Sequence, residues 1–130
     1  MTQITIQQQC PVNVEEIAFN ETSYQNVDEI INMLKAKIDA DPNITYITTF
    51  DHHDYTVSLP HGKIAPGITA AKNLLFCFGP MIPNPYMMAL KPRSMGITQT
   101  SEGFIIAFAE APLPIANTTM TEWAQGIKNL

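Results

Sequence analysis

The chain has 130 residues, 45% of them hydrophobic and 15% charged, with mean hydropathy near zero, which suits one globular domain and excludes a disordered chain. A net charge of −5 and scattered basic residues exclude nonspecific binding to nucleic acid or an anionic membrane, which needs clustered Lys and Arg.

The first residues, Met1-Thr2-Gln3-Ile4-Thr5-Ile6-Gln7, carry no basic region and no apolar run of signal-peptide length. No stretch approaches the roughly 18 apolar residues of a membrane-spanning helix. A cytoplasmic location is therefore expected, and a bridge between the two cysteines, Cys10 and Cys77, is not.

Residues 12–19 alternate loosely (Val12, Val14, Ile17, Phe19) and predict a first strand with an irregularity at Glu15-Glu16. Asn26 and Glu29 resemble a capping box. Val27, Ile30, Ile31, Leu34 and Ile38 then repeat at helical spacing until Asp41-Pro42. Residues 44–50 are rich in β-branched and aromatic side chains and predict a strand, with even-numbered Ile44, Tyr46, Thr48 and Phe50 facing the core. Residues 55–71, with Pro60, Gly62, Pro66 and Gly67, read as a long loop, a length often tied to function. Residues 72–78 form an apolar strand ended by Gly79-Pro80. Asn84-Pro85 opens a short helix through Leu90. Residues 94–100 and 104–109 fit a hairpin around Ser101-Glu102-Gly103. Thr119 and Glu122 read as the capping box of a last helix with Met120, Trp123, Ala124 and Ile127 on its apolar face. The expectation is a single α+β domain over residues 1–130, ordered β-α-β-β-α-β-β-α, with helices on a mixed or antiparallel sheet of about five strands.

Four segments carry a resemblance. They are Asn26-Val27-Asp28-Glu29-Ile30-Ile31 leading to Phe50-Asp51-His52, Ile64-Ala65-Pro66-Gly67 before a strand closing at Phe78-Gly79, Asn84-Pro85-Tyr86-Met87-Met88, and Gly103-Phe104-Ile105-Ile106-Ala107-Phe108. Over residues 19–112 the chain resembles the domain-of-unknown-function 302 family. The resemblance implies an α+β fold and a homodimer, and it implies no reaction. Two stretches depart from it, Pro80-Met81-Ile82-Pro83 between Phe-Gly and Asn-Pro, and residues 91–96, which lack the acidic-Leu-Pro lead.

Chemistry is expected first in Asp51-His52-His53-Asp54, because imidazoles and carboxylates are common metal ligands and general bases. If the strand continues, alternation splits the two histidines between faces. His52, following Phe50, then enters a pocket at the core's rim while His53 faces solvent. Asp54 could orient His52, and His61 could return to it as a second metal ligand. Cys77, close before Gly79, reads as a small buried hydrophobe or as a partner of His52 across neighbouring strands. The N–H groups of residues 85–87 could hold an anion with Lys91 or Arg93.

The expected function is a small-ligand-binding or regulatory module acting as a homodimer. Its candidate pocket comprises Phe50, His52, Asp54, Cys77 and Asn84, and its ligand is a small apolar or anionic molecule. The alternatives are a metal protein or enzyme using His52 with Cys77 or His61, and a structural interaction domain. The residues leave open whether any reaction or cofactor is involved.

Overall fold

The computed structural model describes residues 1–6 and 10–130, with side chains for 1–4 and 11–130. Six strands form one sheet in the order β1-β2-β6-β5-β4-β3, antiparallel throughout. They are β1 (Thr2–Ile6), β2 (Cys10–Ala18), β3 (Ile44–Asp51), β4 (Ile68–Phe78), β5 (Arg93–Thr100) and β6 (Gly103–Ala109). Three α-helices, α1 (Val27–Asp39), α2 (His52–Ser58) and α3 (Pro114–Gln125), and two 3-10 turns, Phe19–Glu21 and Pro85–Ala89, complete it. None of the described helices is long and apolar enough to cross a membrane.

The α+β expectation holds, with the strand count and element order corrected. β1 was not expected; it pairs with β2 at the sheet's outer rim. No irregularity occurs at Glu15-Glu16, because β2 and β6 pair without a break from Val12 to Ala18. Glu15 simply faces the core side, where Lys128 meets its carboxylate at 3.1 Å. The last helix begins at Pro114, not at Thr119. Proline is pre-organised for a first helical position, and the Thr119/Glu122 pair falls mid-helix.

α1 forms as its sequence dictates. Asn26 accepts the Glu29 N–H at 2.9 Å, and the Glu29 carboxylate accepts the Gln25 N–H at 2.6 Å. Its buried face, Val27, Ile30, Ile31, Leu34 and Ile38, packs on one side of the sheet together with Trp123 of α3. The sheet answers with alternate residues: Leu74, Phe76 and Phe78 of β4, Met95 and Ile97 of β5, and Phe104, Ile106 and Phe108 of β6. Each such side chain contributes about 1.5–3 kcal/mol on leaving water.

The opposite sheet face carries Ser94, Gly96 and Thr98 on β5, with Ile105 and Ala107 of β6 and Ala71, Asn73, Leu75 and Cys77 of β4 around them. None of these side chains is fully buried.

Candidate functional site

The sequence-predicted residues divide between the two ends of the sheet. In β3, Ile47 is an extra residue: Tyr46 opposes Phe76 while Thr48 opposes the adjacent Leu75. This bulge reverses the alternation that follows. Thr49 returns to the core side, where its hydroxyl lies 2.9 Å from that of Tyr46. Phe50, opposite Asn73, turns to the other face. The expectation that Phe50 continues the core-facing set is thus corrected, and one extra residue is the reason.

The strand also ends sooner than alternation at His52 and His53 requires. Asp51 accepts the Asp54 N–H at 2.9 Å and so caps α2, which begins at His52 and runs into the expected loop of residues 55–71. Neighbouring helical residues point about 100° apart, so strand alternation does not apply. His52 is exposed, with Nδ1 3.1 Å from Asn73 Oδ1 and its ring 5.3 Å from that of Phe50. His53 is the half-buried one, the reverse of expectation, and both line a shallow hollow of about 240 Å³ with Thr56, Ile64 and Ala71. Asp54 does not orient His52; its largely exposed carboxylate lies 4.0 Å from His53 Nδ1. His61 is exposed and does not line the hollow. Among the described residues, no group of three or more His, Cys, Asp or Glu is placed to hold a metal.

Lys72 sits between Asp28 of α1 at 2.6 Å and Asp51 at 3.7 Å. The Asp54 N–H holds the Asp51 carboxyl below the usual carboxylate range; burial opposes this, and the Lys72 charge adds to the lowering. A lowered folded-state pKa contributes stability that is present above the unfolded value and lost as pH falls through the folded one. Asp51→Asn, which can still cap, is expected to flatten that acid limb. Asp51→Ala is expected to cost about 1 kcal/mol at neutral pH through the lost cap. Urea titrations from pH 3 to 7 read both.

Cys77 and Asn84 lie at the far end. β3 and β4 are antiparallel, so Cys77 opposes Thr45 whereas Asp51 opposes Lys72, a separation of about 17 Å along the sheet. The structure does not bring His52 to Cys77 or to Asn84. Cys77 is half-buried on the face opposite α1 and α3 and has no disulfide partner among the described residues; the side chain of Cys10 lies outside them. The N–H groups expected to cradle an anion are already engaged, since Asn84 Oδ1 accepts from Tyr86 at 3.0 Å and Met87 at 3.1 Å.

Beside Asn84 the chain does build a cavity. Residues 79–90 fold over the end of the core and face the start of α3, enclosing about 370 Å³. Phe78, Met87 and Leu90 form one side, and Ala111, Leu113 and Ala116 the other. Pro80 and Pro83, from the stretch that interrupts the resemblance, belong to its wall. Lys91 and Arg93 supply its only charges, and no lining residue is acidic. A larger hollow of about 510 Å³ at the opposite end is lined by Glu16, Glu21 and Glu102 and is poorly suited to exclude water. The apolar cavity was not legible locally, because the wall from Ala111 to Ala116 comes from sequence-distant chain. Its one sequence signal was Pro112-Leu113-Pro114, an apolar entry to a helix.

A family model matches residues 1–129, nearly the whole described length. The chain belongs to a family of unknown function, DUF6858. This corrects the resemblance to the domain-of-unknown-function 302 family. The quoted segments were short, and they encode local devices (an Asn cap before proline, a hairpin glycine, a helix N-terminus) that unrelated α+β folds share. No curated protein and no solved structure matches the chain.

Proposed function

We propose that this DUF6858 chain is a single-domain small-ligand-binding module that works as a homodimer. The observation that carries the reading is the cavity between residues 79–90 and α3. It has the volume, the apolar lining and the few polar groups of a small-molecule site. Trp123, the chain's only tryptophan, stacks on Phe78 with centroids 6.3 Å apart and so adjoins the cavity wall. A ligand that binds only the folded state raises its stability, by about 2.7 kcal/mol at a hundred times its Kd. A thermal-shift screen of small apolar molecules and organic anions, followed by Trp123 emission, is expected to return at least one stabilising ligand. A screen with no shift in any compound would sink the reading.

The sheet face opposite α1 and α3, covered by α2 only at the Asn73 end of β3 and β4, supports the homodimer. Among its described side chains Glu16 alone is charged, in a chain whose net charge is −5 and whose other surfaces repel a second copy. Six strands spaced ~4.8 Å apart and about seven residues long present ~650 Å² of flat sheet, the same order as the ~800 Å² per partner of a stable complex. The small Ser94, Gly96 and Thr98 form a trough between the taller Ile105 and Leu75, a relief that two copies can interlock about a twofold axis. Light scattering is expected to give twice 14.4 kDa. Ala107→Glu, which places a carboxylate opposite Gly96, should give a folded monomer by circular dichroism and mass. A wild-type monomer at high concentration, or an unaltered dimer in Ala107→Glu, would count against this face.

A further inference from the structure

We propose that the cavity beside Phe78 takes an organic monoanion, a carboxylate on a compact aliphatic or aromatic body, with Arg93 as its counter-ion. The proposal rests on the ligand-binding reading and adds the chemical class of the ligand.

Arg93 carries the argument. Its Nη2 donates to the Ala109 carbonyl at 2.6 Å and its Nη1 to the Leu90 carbonyl at 3.5 Å, while its Nε is buried with no hydrogen-bond partner. A guanidinium stays charged and has five N–H donors to satisfy, so here both charge and donors are left over. Burial pushes its pKa down, the sign of a cation lacking a neutralising neighbour. Lys91 is likewise bonded to carbonyls: Nζ donates to those of Met81 at 2.8 Å and Phe78 at 3.2 Å. Among the described residues neither cation has a carboxylate within ion-pair distance. The contrast with Lys72 and Lys128 is sharp, for each of those lies between two carboxylates.

Such an arrangement is costly without an anion, since an unpaired desolvated charge opposes folding. It becomes favourable when one is supplied: a carboxylate can accept from a guanidinium in a short charge-assisted bond. The start of α3 adds to the field. Leu113 provides no side-chain cap, and Leu113 and Ala116 line the same cavity, so the positive end of the helix adjoins it. The remaining wall is apolar, which demands a hydrocarbon body and disfavours phosphate, sulfate or a polar metabolite carrying several charges. One anionic head and an apolar body answer both halves of the site.

Matched pairs test the proposal on the intact protein. Octanoate, 3-phenylpropanoate and cinnamate are titrated beside the corresponding primary alcohols, with Trp123 emission and calorimetry as readouts. At least one acid is expected to bind ten times or more tightly than its alcohol, with the preference shrinking as salt rises. Arg93→Gln is expected to abolish the preference while leaving the alcohol's affinity in place, and Arg93→Lys to restore part of it. The wild-type comparison decides the matter even if Arg93→Gln fails to fold. An alcohol binding as tightly as its acid overturns the anionic class while the ligand-binding module stands. A preference that persists in folded Arg93→Gln overturns the role of Arg93. If neither acid nor alcohol binds, this proposal falls; the broader module falls only if the wider screen is also silent.

Discussion

Gly103→Ala is expected to cost about 3–5 kcal/mol, a large share of the stability of a domain this size. Gly103 closes the β5–β6 hairpin and pairs with Ala18 of β2. A Cβ built there lies 2.0 Å from the Ile17 carbonyl oxygen and 2.9 Å from the Ala18 Cα. Both obstacles are backbone, so no side-chain rotation relieves the clash. The β2–β6 ladder must open beside Phe104, which is fully buried. Gly67 is the control: its φ is also positive, at 90°, but a Cβ there meets nothing within 4 Å. Gly67→Ala should cost about 1–2 kcal/mol, the conformational penalty alone. Urea unfolding of the two variants separates them, and equal losses would contradict the close approach.

Phe76→Ala is expected to remove about 3–5 kcal/mol. Phe76 is fully buried on β4, one strand in from the rim, with its ring 5.5 Å from Trp123 and 5.6 Å from Phe78 in edge-to-face arrangements. Truncation removes hydrocarbon burial and leaves a void under α3. It also deprives Trp123 of an apolar neighbour, so its emission should shift to the red in the folded variant. Phe76 stands opposite Arg93 in the β4–β5 pair, and Phe78 and Trp123 stack beside the cavity, so the same substitution should also weaken the proposed binding there. A stability loss under 1 kcal/mol would mean that the core refills the space.

The parts of the fold legible in sequence were those with dense local signals. The 3.6-residue repeat from Val27 to Ile38, with its Asn26 cap, located α1, and the apolar run to Phe78 located most of β4. What escaped depended on single residues or distant partners. Ile47 is one more β-branched residue in a strand full of them, so composition cannot mark it as a bulge; yet it turns Phe50 to the other face. Asp51 with Asp54 was a readable helix start, masked by the histidines between them. The candidate site was half legible. Asn84, Lys91 and Arg93 stand out by residue type and spacing, but the distance of His52 from them does not, because neither segment encodes strand direction. Antiparallel pairing sends His52 and Asn84 to opposite ends, and only the folded chain brings Leu113 and Ala116 to Arg93.

An outer strand with an interrupted row of N–H and C=O groups is a poor template for polymerisation. β3 is such a strand: the extra residue at Ile47 breaks its regular spacing where an incoming strand would have to match it. Strand-by-strand addition at that rim, which has no natural end and leads to fibres, is thereby frustrated. The proposed contact through the face opposite α1 and α3 would be self-limiting instead, because a twofold axis is satisfied by two copies and offers nothing to a third.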